Sequence, residues 1–175
     1  MINPFSAVDK FPEIEKPRYK PPIEDFWKIY DIAEGQDKVM LLTFLLAGAR
    51  RNEIFNLKWE EIDWQNSLIR LWTNKRGKGN REYDWIPMTQ ELKKVLLEWW
   101  EVRPVKTTEY VFVCLDGHAL NQDNYGKPFT VRQHFMKRLC KKAGVKSFGF
   151  HGIRHLTATE LYRKGYKNSL ISSLY

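Results

Sequence analysis

The chain has 175 residues, a hydrophobic fraction of 43%, seven tryptophans and ten phenylalanines, which suits one domain with a sizeable core and excludes a disordered polypeptide. No apolar run approaches the roughly 18 residues that a helical membrane span needs, and the opening "MINPFSAVDKF" lacks the apolar stretch of a secretory signal. A net charge of +8 and a pI near 9.4 bias the choice of partner toward polyanions, nucleic acid before a membrane surface.

Residues 1–21 carry many charges and prolines, among them Pro4, Pro12, Pro17 and Pro21. They read as a linker or arm, and 22–175 as the domain. In "PIEDFWKIYDIAEG" the residues Phe26, Ile29, Tyr30 and Ala33 fall at helical spacing, with Gly35 as the stop. "QDKVMLLTFLLAGA" is apolar on most of its circumference and predicts a central buried helix. "RRNEIFNLKWEEIDW" continues the helical character and then turns. "SLIRLWT" and "YDWIPM" flank the polar, Gly-punctuated "NKRGKGNRE" and predict a β-hairpin. "TQELKKVLLEWWEVR" predicts an amphipathic helix capped by Thr89. "EYVFVCL" reads as one more short strand, and "DGHALNQDNYGKPFT" as loop. "VRQHFMKRLCKKAG" predicts a basic helix ended by Gly144, and the stretch from His151 a further helix ended by Gly165. "NSLISSLY" resembles the start of another. The two cysteines, Cys114 and Cys140, are far apart and share no metal spacing, so both are expected as buried free thiols of a cytoplasmic protein. The fold class expected is α+β, mainly α-helical, with a small antiparallel sheet.

Three places could carry chemistry. In "GARRNE" Arg50 and Glu53 are three apart and can pair on a helix. The plain reading is a surface ion pair worth under about 1 kcal/mol. The hairpin tip holds Lys75, Arg76, Lys78 and Arg81. It is either a solvated turn or a basic finger for a phosphate backbone. Lys75 sits where the first strand ends, on a firmer platform than the tip, and a lysine held there can donate a proton to a leaving alkoxide. The third place is "FHGIRH". His151 and His155 are four apart and share a helix face, as in the zinc motif H-E-x-x-H, but Gly152 stands where the glutamate would be. His151 and Arg154 instead lie near a helix N-terminus, which favours an anion. Arg154 with Arg50 could clamp the non-bridging oxygens of a phosphodiester and tighten as charge builds on them. No carboxylate cluster suited to two magnesium ions accompanies them, so neither metal nor other cofactor is expected.

The order G-x-R-x-x-E, hairpin lysine, H-x-x-R-H resembles the catalytic domain of the tyrosine recombinases, the phage integrase family. "AGARRNEIFNLKWEEIDW", "NREYDWIPMT" and "FHGIRHLTATELYRKG" carry the likeness, which spans roughly Pro22 to Tyr175. The resemblance implies a helical bundle with a small antiparallel β-sheet at one edge. It implies Arg50, Lys75, His151 and Arg154 as catalytic residues, with Lys78 the second choice for the hairpin lysine. Glu53 and His155 would be supporting residues, His155 as scaffold, and Arg76, Lys78 and Arg81 would contact DNA. The parent protein would cut and rejoin double-stranded DNA through a 3′-phosphotyrosine, as a tetramer on two sites, to integrate or excise a mobile element. Its expected location is the cytoplasm of a bacterium, or of a phage host, at the nucleoid. The family's nucleophilic tyrosine falls some thirty residues beyond the second arginine, so Tyr175, Tyr166 and Tyr162 all come too early. The fragment is therefore expected to be a monomer that binds DNA weakly and does not cleave it. A non-catalytic DNA-binding remnant and, more remotely, a zinc hydrolase built on His151 and His155 are the alternatives.

Overall fold

The helix at the centre of the domain, α2 (Gly35–Ala47), buries Met40, Leu41, Leu42, Phe44 and Leu45 together, because its apolar residues leave no polar stripe to face water. This computed structural model describes residues 19–73, 82–116 and 123–166. Around α2 lie α1 (Ile23–Asp31), α3 (Arg51–Phe55), α4 (Gln90–Val102), α5 (Phe135–Lys142) and α6 (Phe150–Arg163), with strands β1 (Ile62–Asp63), β2 (Leu68–Thr73) and β3 (Glu82–Pro87). The architecture is the expected one, mainly helical with a small antiparallel sheet. Helices α1, α3, α4 and α6 all pack on α2, and Phe44, Phe55, Phe135 and Phe150 meet in one aromatic cluster at its C-terminal end. Each such ring removes a large apolar area from water, worth about 25 cal/mol per Å².

The sheet runs β1-β2-β3, all antiparallel. Period-two alternation puts Ile69, Leu71 and Thr73 inward. The register sets Leu71 opposite Asp84 and Thr73 opposite Glu82. On the outer face the Arg70 guanidinium lies 5.3 to 5.8 Å from the rings of Trp72, Tyr83 and Trp85. Thr89 caps α4 as its sequence predicts, accepting from Leu92 N–H at 3.2 Å.

Several expectations change. Gly35 does not end the first helix. That helix ends at Asp31, and Gly35, at φ +50°, opens α2. The helical reading of "RRNEIFNLKWEEIDW" holds only for Arg51–Phe55. Leu57 leaves the helix to be buried, a 3-10 turn at Trp59–Glu61 follows, and β1 completes the stretch. The basic helix begins at Phe135, not at Val131, and Gly144 at φ +68° follows its end. Cys140 is buried and burial pushes its thiol pKa up, whereas Cys114 is only half-buried; both are free thiols. The hairpin tip and "NSLISSLY" lie outside the described residues.

"EYVFVCL" does not join the sheet. Its polar groups are taken singly instead: Gln36 donates to Val113 O and accepts from Val113 N–H, both at 2.8 Å, and Trp99 Nε1 donates to Val111 O at 2.9 Å. Val111 N–H goes to Leu57 O at 2.9 Å. A buried backbone segment without a ladder must find partners of this kind. Replacing Gln36 by leucine would leave both polar groups of Val113 without their side-chain partner. The expected cost is about 2 to 3 kcal/mol in urea unfolding, from two orphaned buried groups.

The turn from β1 to β2 carries a pH signature. Asn66 donates its backbone N–H to Asp63 at 2.9 Å and its side-chain amide at 2.7 Å, and these bonds hold the Asp63 carboxyl below its ordinary pKa. A folded value lower than the unfolded one contributes stability that is complete above the ordinary carboxylate range and is lost as pH falls through the folded value. The destabilisation by Asp63→Ala should therefore be present at neutral pH and shrink in acid; urea midpoints across a pH series measure it.

Candidate phosphate-binding cleft

The site begins where α2 stops. Gly48 takes the left-handed conformation, φ +57°, and its N–H closes on Phe44 O at 3.1 Å. Such a cap suits glycine because a Cβ disfavours positive φ. The chain then turns through Ala49 to Arg50, the N-cap of α3. Glu53, one turn into α3, accepts from the Arg50 backbone N–H at 2.7 Å and from its Nη1 at 2.9 Å. Thr73 at the end of β2 accepts from the same Nη1 at 3.2 Å. The pair predicted from the three-residue spacing is present, but it is no surface bridge: the Glu53 side chain is 8% exposed and that of Arg50 25%.

Helix α6 closes onto the same corner. Thr157 Oγ1 donates to Leu45 O at 2.6 Å, and Arg154 Nη1 donates to Gly48 O at 2.6 Å. Both carbonyls belong to the end of α2, where helix geometry leaves C=O groups without intrahelical partners. Arg154 is 6% exposed. Arginine is rarely buried this deeply without fixed acceptors, and one of its acceptors is a carbonyl 106 residues away. His151, the second residue of α6, is exposed.

Arg50, His151 and Arg154 line one open cleft of about 1210 Å³. Arg50 and Arg154 also line a smaller cavity of about 180 Å³, with Glu53 and Asp84. Arg50, Arg154 and Glu53 line both. Guanidinium groups so anchored meet an anion with little conformational entropy left to lose. His155, one turn beyond His151, places its Nε2 2.9 Å from Nε2 of His151. Among the described residues no group of three or more His, Cys, Asp or Glu side chains stands together as a metal site would require.

Two more arginines line the cleft. Arg51 lies beside Arg50, exposed, with Nε donating to Asn52 Oδ1 at 3.1 Å. Sequence reasoning missed Arg132. It pairs with Asp37 at 2.6 and 3.3 Å, and its guanidinium stacks 3.8 Å from the Phe135 ring and 4.4 Å from the Phe129 ring. "VRQHF" gives no sign of this, since the partner carboxylate lies 95 residues earlier. Lys75, Arg76, Lys78 and Arg81 fall outside the described residues, as does Tyr175.

A helical core with a small three-stranded antiparallel sheet is the architecture of a tyrosine recombinase catalytic domain. The chain belongs to the phage integrase family, whose model matches residues 23–175. It is 29% identical to the tyrosine recombinase XerC of Thermodesulfovibrio yellowstonii over 142 residues, covering 79% of this chain and 45% of that protein. Against XerA of Pyrococcus horikoshii it is 29% identical over 167 residues, covering 94% and 55%. Among solved structures, XerA recombinase superposes with a TM-score of 0.71 at 23% identity, over 95% of this chain and 56% of that one. A lambda integrase dimer bound to a core site does so at 0.66 and 18%, over 93% and 58%. The chain spans about half the length of the curated relatives it matches.

Proposed function

We propose that this chain supplies the phosphate cradle of a site-specific DNA recombinase, and that its partner is double-stranded DNA. The observation that carries the reading is the meeting of Arg50 and Arg154, 104 positions apart in the chain (154 − 50), in one cleft with His151, each arginine already fixed by a bond to the protein itself. In the reaction a tyrosine hydroxyl attacks the scissile phosphorus, the 5′ oxygen leaves, and a 3′-phosphotyrosyl link conserves the bond until a partner strand's 5′-hydroxyl reverses the step. Arg50 and Arg154 hold the non-bridging oxygens as phosphorus becomes pentavalent. Glu53 orients Arg50, His151 assists proton transfer, and Lys75, or Lys78 in its place, protonates the leaving oxygen. Arg76, Lys78 and Arg81 add backbone contacts. The full protein works as a tetramer on two DNA sites, in the cytoplasm, to integrate or excise a mobile element.

The test is duplex binding by this chain, followed by fluorescence anisotropy across a salt series. Binding should weaken steeply with salt, and Arg50→Ala and Arg154→Ala should each weaken it and flatten the slope by about one phosphate contact. Equal binding by both variants would sink the reading. Tyr162 and Tyr166 are exposed and do not line the cleft. Phenylalanine at either position should leave both DNA affinity and any covalent adduct on a nicked duplex unchanged, read on denaturing gels.

A further inference from the structure

The outer face of β2 and β3 is an aromatic surface that the phosphate cradle does not use. Alternation along the strands turns Arg70, Trp72, Tyr83 and Trp85 to this face, and the register sets Arg70 opposite Trp85 and Trp72 opposite Tyr83. The Trp72 and Tyr83 rings stand 5.0 Å apart at 65°, and those of Tyr83 and Trp85 6.3 Å apart at 84°. Cross-strand pairing accounts for these contacts but not for two large rings, Tyr83 and Trp85, left exposed side by side. Arg70 sets the charge of the surface. Its guanidinium lies 5.3 to 5.8 Å from all three rings, it has no ion pair among the described residues, and its Nε is buried without an acceptor. The same alternation turns Glu82 and Asp84 to the other face, and Asp63, opposite Leu68, is held by Asn66. The sequence joining the two strands adds Lys75, Arg76, Lys78 and Arg81. Such a surface favours a ligand that is both anionic and flat.

Trp72 joins this face to the cleft, since it lines the cleft with Arg50, His151 and Arg154 while its ring meets Tyr83. We infer that the face is a stacking platform for an unpaired DNA strand that leads out of the cleft. Two points select an unpaired strand over a duplex. A ring stacks only on a base whose face is uncovered, and in a duplex each base is covered by its neighbours. The 6.3 Å between the Tyr83 and Trp85 rings also exceeds the rise of about 3.4 Å between stacked bases, so it suits bases drawn apart. Aromatic side chains on a sheet, with a cation beside them, are how proteins hold successive bases of a single strand without reading their sequence. In strand exchange the freed 5′ end leaves its own duplex before it pairs with the partner, and a platform beside the cleft would hold it in between. That purpose rests on the phosphate-cradle reading; the binding itself does not.

The test is fluorescence anisotropy of the full chain with a labelled oligothymidylate of about 12 nucleotides, which forms no duplex, beside a duplex of the same length. The parent should bind the single strand. Tyr83→Leu and Trp85→Leu should each weaken that binding about tenfold, the loss of one stacked base, and leave duplex affinity as in the parent. Tyr83→Phe keeps the ring and should bind like the parent. Leucine keeps apolar cover over Arg70, and urea midpoints check that each variant is folded. Oligothymidylate should also quench tryptophan emission in the parent, a readout that needs no variant. The inference is overturned if the parent does not bind the single strand, if Tyr83→Leu binds it as well as Tyr83→Phe, or if single strand and duplex lose affinity equally. Leucine variants that alter only the sedimentation of the chain would overturn it too, and give the face to a second copy. Arg50→Ala separates the two readings. Duplex binding unmoved by Arg50→Ala, with single-strand binding still weakened by Tyr83→Leu, would discard the cradle and keep the platform.

Discussion

Arg154→Lys should lower the affinity of the chain for duplex DNA by about 10- to 100-fold at fixed salt, without changing how steeply affinity falls as salt rises. The two halves of that result come from different physics. A hydrogen bond to a charged group contributes about 1.5 to 3 kcal/mol, and each 1.4 kcal/mol is roughly a factor of ten in binding. The guanidinium is planar and is already held by Gly48 O at 2.6 Å, so the rest of its fork is aimed before any ligand arrives. An ammonium on a flexible stem keeps the charge but not the aim. Counterion release depends on charge, so the lysine variant should keep the parent slope, while Arg154→Ala should lose both affinity and close to one unit of slope. The lysine also forfeits a bond to an α2 carbonyl inside the protein. A loss of about 1 to 2 kcal/mol in folding stability should accompany it, visible in urea unfolding. A lysine variant that binds like the parent would mean Arg154 acts as a point charge or as a helix-end cap alone.

Local periodicity made the helical core legible. Helix α2 is apolar on every side, so any reading of its pattern buries it, and Thr89 signals the start of α4 within its own turn of chain. The same holds for β2, where Ile69, Leu71 and Thr73 alternate with outward residues. What escaped was structure whose cause lies far off in the chain. "EYVFVCL" has the composition of a strand, but its polar groups are bonded by Gln36, Trp99 and Leu57, none of which is a neighbour in sequence. Gly35 reads equally well as a helix stop or as a left-handed opening to the next helix, and it takes the second role at φ +50°. Arg132 looks like one more cation of a basic segment until Asp37 and two phenylalanine rings are set beside it. The arginines of the two boxes were found because the order and spacing of the boxes match a family, not because periodicity marks them. From periodicity alone, Arg50 and Glu53 would have stayed a surface pair.

Removal of the Glu53 carboxylate is the sharper test of that pair. Glu53→Ala should cost about 3 to 4 kcal/mol in urea unfolding, where an exposed bridge would cost under about 1 kcal/mol. The Glu53 side chain is 8% exposed and its carboxylate holds both the backbone N–H and the guanidinium of Arg50, so its loss strips the start of α3 of a cap and takes one acceptor from an arginine whose side chain is three-quarters buried. Arg50→Ala in the Glu53→Ala background should then cost less than in the parent, a coupling that a double-mutant cycle measures. DNA binding discriminates further, because two mechanisms predict opposite signs. Deleting a negative charge beside a phosphate site should strengthen binding if only the net field matters. If Glu53 works by fixing where the Arg50 guanidinium points, the same deletion should weaken binding even though the chain becomes more positive. The expected result is the weakening, of about tenfold, from the loss of one well-aimed charged hydrogen bond. Tighter binding by Glu53→Ala would show that the carboxylate only opposes the phosphate, and the preorganised clamp would fall with it.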